Sequence, residues 1–464
     1  MSPARQARLG RPAVEETHTN STGSTSRRVW QLAWPTILSN LLLTTIQFSH
    51  IKILSGLGTS SVAAVTTGHR VFFLVQAMMM GLSVATTAIV ARNWGAGNRP
   101  GAEMATWTSM ALCVALAALL TIPLLIFPHG VAASFGLDAE TTHRAGEFIF
   151  WYAIFCVFLS INMILSTALR ATGDVITPLW FLFASVVLNV LLAYWLTYGS
   201  FGLPRMGIAG TALGGGLAAG ITAVLFTLRW WRGKFTLGAV KRWHIDPTIT
   251  RQIIQIGTPA IIEQGFIQFA MLAFFLILGQ YGTEAYAAYG IGISVVSFSL
   301  VVAFGFGIAT ATLVGQQLGA GDPKSAMAAG WRGLRMAIAA MVFFSVLLAI
   351  YAEELAGFMI EDPEAVRLTV IFIYLIALSQ PVMAIEITLA AALRGAGDTR
   401  FPLVNTIIGM IAGRLIPAVI FVVLDMSIYW MFATTLFDFG IKAVLIVHRY
   451  RAGHWLYLKL STQR

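Results

Sequence analysis

Charged side chains are scarce in this sequence. They make up 11% of its 464 residues, against about 25% in soluble domains. So few charges cannot cover a water-facing surface, which excludes an ordinary soluble globular protein. Cysteine is scarcer still. Cys113 and Cys156 both fall inside apolar stretches and define neither a disulfide framework nor a metal site. The alternating apolar–polar segments of a membrane β-barrel are also missing. No small-residue cleavage site follows the first apolar segment. Residues 1–28, rich in Arg, Ser and Thr, therefore read as a disordered tail ahead of an uncleaved first helix, not as a signal peptide.

Long apolar runs recur from Trp30 to Val447; Met110–Phe127, Leu179–Leu196 and Met336–Ala352 are examples. Each approaches the roughly 20 residues that cross a hydrocarbon core of about 30 Å, and helices are the only plausible spanning element. The expected spans are 29–52, 66–91, 105–127, 147–169, 177–198, 207–230, 252–278, 286–315, 333–352, 367–392, 402–423 and 427–447. The fold class is an all-α membrane protein of twelve helices, with a bilayer as its first partner.

The net charge of +10 raises the question of a nucleic-acid partner, and its distribution answers against one. With both tails and alternate loops assigned to one side, that side collects 23 of the 30 basic residues. The opposite side holds Lys52, Arg144, Arg205 and Arg367, with an acidic loop carrying Glu353, Glu354, Glu361, Asp362 and Glu364. This is the positive-inside pattern, so both termini are expected in the cytoplasm of a plasma (inner) membrane protein.

An internal repeat is the most informative feature. At one offset of 224 residues, Pro35 falls on Pro259, Gly58-Thr59 on Gly282-Thr283, and Trp107 on Trp331. At the same offset the loop Gly95-Ala96-Gly97-Asn98 falls on Gly319-Ala320-Gly321-Asp322, and Leu169–Asp174 on Leu393–Asp398, followed by Pro178 on Pro402. Each half holds an even number of spans, so the two are parallel repeats, with any substrate path expected between them near mid-membrane. The division is a tail at 1–28, a six-helix lobe at 29–231, a basic linker at 232–251, a second lobe at 252–447 and a tail at 448–464.

The two LRxxGD segments close spans 4 and 10. Arg170 and Arg394 stand at helix C-termini, where a cation meets the negative dipole end and the head groups. Gly173 and Gly397 supply a positive-φ turn, and Asp174 and Asp398 cap the next helix. A tight cytoplasmic turn accounts for these residues; a gating Arg–Asp pair is the other reading. No Lys-Ser/Thr pair follows the GAG loops, so they are not phosphate-binding loops.

LRGAGDTRFP at 393–402, LRATGDVITP at 169–178, the GAG[ND] loops, and the runs WPTILSN at 34–40 and TPAIIEQ at 258–264 resemble the multidrug and toxic compound extrusion (MATE) family over about residues 30–447. The resemblance implies a central cavity open to one side at a time. It also implies export of bulky, often cationic, drug-like compounds in exchange for H⁺ or Na⁺, without a cofactor, by a protein expected to act as a monomer. The alternative is a lipid or lipid-linked oligosaccharide flippase of related architecture, with a more cationic cavity. An intramembrane enzyme is not expected, because no catalytic pair or metal motif stands in the spans.

Ionisable groups inside a membrane default to function. Glu263, one turn into span 7, and Glu386, eight residues before Arg394, are the expected ion-coupling pair; their counterparts in the first half, Ser39 and Asn162, are neutral. A buried carboxylate can exchange a proton or ligate Na⁺. Polar residues expected in the cavity are Asn40, His50, Asn162, Gln264 and Gln268. The resemblance places an Asp in the first span of many family members where this chain has His50, which either titrates in its place or is an interfacial histidine. Arg414 requires an acidic partner, while Arg70 and Lys442 have stems long enough to snorkel. Met78-Met79-Met80 could line an adaptable cavity or simply pack.

Overall fold

A computed structural model describes residues 22–199, 202, 204–240, 244–360 and 362–458. The first half contains α1 (Thr22–Ser55), α2 (Thr59–Gly95), α3 (Arg99–Ile126), a short α4 (Pro128–Ala133), α5 (Ala139–Ile154), α6 (Cys156–Thr172), α7 (Ile176–Tyr198) and α8 (Gly207–Trp231). The second contains α9 (Pro247–Leu278), α10 (Thr283–Gly319), α11 (Pro323–Ile350), a short α12 (Ala352–Met359), α13 (Pro363–Gly395), α14 (Arg400–Ile408), α15 (Ile416–Val423) and α16 (Ile428–Ala452). Eleven spans among the described residues are long and apolar enough to cross a membrane, α14 and α15 together forming one of them. The pair α5–α6, bent by 51°, makes the twelfth. This is a multi-span all-helical membrane protein.

The helices overrun the expected spans at several ends, because polar caps extend them past the hydrocarbon. Asn98 and Asp322 accept hydrogen bonds from the backbone N–H groups of Gly101 and Ser325 at 3.1 and 2.9 Å, so the GAG loops start α3 and α11. Asp246 accepts from Thr248 and Ile249. It starts α9 at Pro247, which ends the linker expected at 232–251 five residues early. The tail expected at 1–28 falls largely outside the described residues, but from Thr22 onward it is helix. The tail expected at 448–464 is also partly built. A 3₁₀ turn, His454–Tyr457, buries Trp455 against Tyr450, and Arg92 donates to the Leu458 carbonyl at 3.0 Å. Between α14 and α15 a π-helical stretch, Gly409–Leu415, interrupts the ladder.

The two halves exchange their first helices. The start of α1 packs on α10, and Val29 and Leu32 lie in the core of the second lobe. Their counterparts on α9, Ile253 and Ile256, lie in the core of the first lobe, where α9 packs on α2. The α2 and α10 helices meet at the end that carries the GAG loops. A Cβ on Gly95 would collide with the Gln316 carbonyl, and one on Gly319 with the Arg92 carbonyl. Residues 92 and 316, like 95 and 319, are 224 apart, so the contact is reciprocal. Higher up, Gly81 lies on the Ile261 backbone and Gly305 on Ile37, again at the same offset. The Gly95–Gln316 and Gly319–Arg92 approaches join α2 to α10 and seal that end of the lobe interface, while the Gly81 and Gly305 approaches hold the exchanged helices in place.

Candidate functional site

Two buried polar centres stand in this frame, one per lobe. In the second lobe, Glu263 is 1% exposed. It lies 16 residues after the first residue of α9, about 24 Å along the helix axis, not one turn in as the sequence suggested. Arg394 donates to its Oε1 at 2.6 Å and Thr406 to the same oxygen at 2.8 Å. Arg394 thus turns inward from the C-terminus of α13 instead of meeting head groups. Asp398 caps the next helix at the Phe401 N–H and pairs with Arg449 at 2.8 Å. The Arg and Asp of the motif therefore serve different partners and form no pair with each other. In the first lobe Asp174 likewise accepts from the Thr177 N–H at 3.0 Å, and Gly173 takes φ 99°, as the turn requires.

Beside Glu263 lies a second ionic cluster. Asp438 forms ion pairs with Arg414 at 3.0 Å and with Lys442 at 2.7 Å, with all three side chains buried. Arg414 also donates to the Tyr289 hydroxyl at 3.1 Å and lies over the Phe274 ring. Lys442 therefore does not snorkel: it is 5% exposed and held by the acid one turn before it. The π-helical stretch explains how so much charge fits. Gly409 and Gly413 leave no Cβ where Lys442 and Asp438 press against α14–α15, and the widened turn swings Arg414 toward Asp438. Glu386, 9% exposed, lies within electrostatic reach of Lys442, Arg394, Glu263 and Asp438. Apart from the Asp398–Arg449 pair, three acids thus stand near three bases here: Glu263, Glu386 and Asp438 beside Arg394, Arg414 and Lys442.

The first lobe instead encloses a cavity of about 240 Å³. One wall is a stripe down α6 (Leu159, Asn162, Ser166 and Arg170) at helical spacing. The opposite walls carry Ser39 and Gln47 of α1, His69 and Gln76 of α2, and Asn189 of α7, among aromatic and Met side chains that include Met79. His50 is fully buried, not interfacial. It pairs its Nε2 with Asn189 Oδ1 at 2.8 Å and its Nδ1 with His69 Nε2 at 3.3 Å. A hydrogen bond between two imidazole nitrogens needs one lone pair, so both rings cannot be cationic in this arrangement. Asn162 lines the cavity while donating to the Ala219 carbonyl at 3.0 Å. Asn40, His50, Gln264 and Gln268 do not line it, and neither Glu263 nor Glu386 does; His50 stands behind the wall, bonded to His69 and Asn189, which do. Both acids lie in the other lobe, so no carboxylate lines this cavity. His69 was missed as a lone histidine in an apolar run. Asp438 was missed as the partner of Arg414, although its i,i+4 spacing to Lys442 was visible.

The MatE family model matches the chain twice, over residues 35–195 and 259–420. The chain is 28% identical over 395 residues to the probable multidrug resistance protein NorM of Thermotoga maritima, covering 83% of each. It is 27% identical over 389 residues to the multidrug resistance protein NorM of Burkholderia vietnamiensis, covering 82% of this chain and 83% of that one. The crystal structure of the Vibrio cholerae MATE transporter VcmN in its bent form superposes with a TM-score of 0.85 at 17% identity, over 94% of this chain and 99% of that one. With both halves matched, and matched at the spacing of the internal repeat, this chain belongs to the MatE family of membrane transporters.

Proposed function

We propose that this chain is a secondary active multidrug exporter that exchanges organic compounds for H⁺ or Na⁺ by alternating access, with both termini in the cytoplasm. The names of its relatives support the multidrug part. The observation that carries the coupling part is the buried Glu263, whose one oxygen is shared by Arg394 and Thr406. An antiporter needs ion and cargo to favour different conformations, since a ligand that binds both states equally shifts nothing. A proton or Na⁺ on Glu263 cancels its attraction for Arg394. Arg394 is followed by Gly395, which abuts the Ala311 backbone of α10, and α10 carries half of the seal. Protonation or Na⁺ binding at Glu263 would thereby reach the contact that keeps the lobes closed. Glu386, near the same charges, is the second site of this network.

Glu263→Gln is expected to abolish gradient-driven efflux and Glu386→Gln to weaken it, with normal expression of both, because Gln keeps most of the shape and the one cation paired with Glu263, Arg394, is partly exposed. Proteoliposomes under separate H⁺ and Na⁺ gradients provide the measurement. Full gradient-driven transport by the Glu263 variant would place coupling elsewhere. The orientation rests on the bias of basic residues. A single Cys introduced in the linker, at Thr236, should resist an impermeant thiol reagent applied outside intact cells and react in inside-out vesicles. Labelling from outside would reverse the assignment.

A further inference from the structure

The internal repeat places Arg170 and Arg394 at equivalent positions, 224 residues apart, yet their surroundings differ in one respect. Arg394 is neutralised by Glu263. The counterpart of Glu263 is Ser39, and that of Thr406 is Leu182; both line the cavity of the first lobe, as Arg170 does. Arg170 donates to Thr167 Oγ1 at 3.4 Å, a neutral acceptor, and no carboxylate lies within ion-pair distance of it among the described residues. The nearest acid in sequence, Asp174, is engaged by the Thr177 N–H. No Asp or Glu lines the cavity at all. A guanidinium inside a membrane span is costly without a counter-charge, and here the volume that holds the counter-charge in one lobe is open space in the other.

We propose that the first-lobe cavity binds an amphipathic organic anion, with its carboxylate on Arg170 in the position that Glu263 occupies beside Arg394. The guanidinium fork suits a carboxylate. Above it, Phe181, Phe226, Met163 and Tyr152 offer an aromatic body a tolerant apolar wall. The cargo of this site is thus the opposite in charge to the organic cation that an acidic cavity would select. As a statement about exported cargo it rests on the exporter reading above; as a statement about binding it stands alone.

The test is binding of three ligands of one shape to the purified full-length protein in nanodiscs: 1-naphthylacetate, 1-naphthylacetamide and 1-naphthylmethylammonium. The anion should bind at least about tenfold more tightly than the cation. Arg170→Gln should weaken the anion by about 10- to 100-fold while changing the neutral amide little, as removal of a charge-assisted bond does; Arg170→Lys should restore part of the loss. Ser39→Glu installs the acid of the other lobe. It should abolish the anion preference with no loss of thermal stability, which separates an occupied site from a misfolded protein. Equal or tighter binding of the cation to the parent, or anion binding unaffected by both Arg170→Gln and Ser39→Glu, overturns the proposal. Anion binding that depends on Arg170, without gradient-driven movement of any of the three ligands in proteoliposomes, would sustain this site and sink the exporter reading instead.

Discussion

Replacing Asp438 with Asn should destabilise the second lobe by about 3–5 kcal/mol, the cost of leaving buried charges without their partner. Asp438 is the one carboxylate in ion-pair contact with both Arg414 and Lys442 among the described residues, and all three are buried. The Asn variant keeps the shape and leaves two cations in an apolar lobe. Thermal unfolding in detergent should show a fall on the order of 10 °C. Removing one of the stranded cations as well, in Asp438→Asn/Lys442→Met, should recover part of that loss; Arg414 would still have the Tyr289 hydroxyl and the face of Phe274. A single variant that melts with the parent would show that this cluster does not stabilise the lobe.

The second large effect is expected at the seal. Alanine at Gly95 or Gly319 would drive a methyl group into a backbone carbonyl of the opposite lobe. Backbone cannot yield as a side-chain tip can, so the sealed form should lose about 1–3 kcal/mol per site. That shifts the ratio of sealed to open protein by about 5- to 150-fold. The measurement is cytoplasmic-side labelling of a Cys placed at Ser166, which lines the cavity, with Cys113 and Cys156 replaced. Labelling in inside-out vesicles should quicken at least about fivefold in either variant, and export should slow because the cycle spends less time sealed on that side. Unchanged labelling in the double variant would show that the seal does not depend on this approach.

Much of this architecture was legible in the residues. Twelve apolar runs, a basic bias and a constant offset led to twelve spans in two like halves, since hydrocarbon thickness and repeat geometry leave few alternatives. Helix ends were less legible: Asp246, Asn98 and Asp322 lengthen helices by capping, which hydropathy does not register. The ionic partners were readable only in part. Asp438 and Lys442 sit one turn apart on one helix, but Arg414 reaches them through a π-helical turn that no residue pattern announces. Glu263 was identifiable as a buried acid; its bond to Arg394 joins positions 131 residues apart and needed the fold. Arg170 is the instructive case. The substitution of Ser39 for the acid was visible in the repeat, yet the repeat alone did not reveal that the counterparts of an ion pair would surround a cavity.

The exchange of first helices has a consequence for how such a chain can arise and mature. A lone half would present the start of its first helix, with Val29 and Leu32 or Ile253 and Ile256, to lipid instead of to a core. It would also leave a glycine notch with nothing in it. Two copies of one half, inserted side by side in the same direction, would satisfy each other through the same reciprocal contacts that now join residues 92 with 319 and 95 with 316. In this chain, accordingly, the core of the first lobe is complete only once the start of α9, with Ile249, Ile253 and Ile256, is in place.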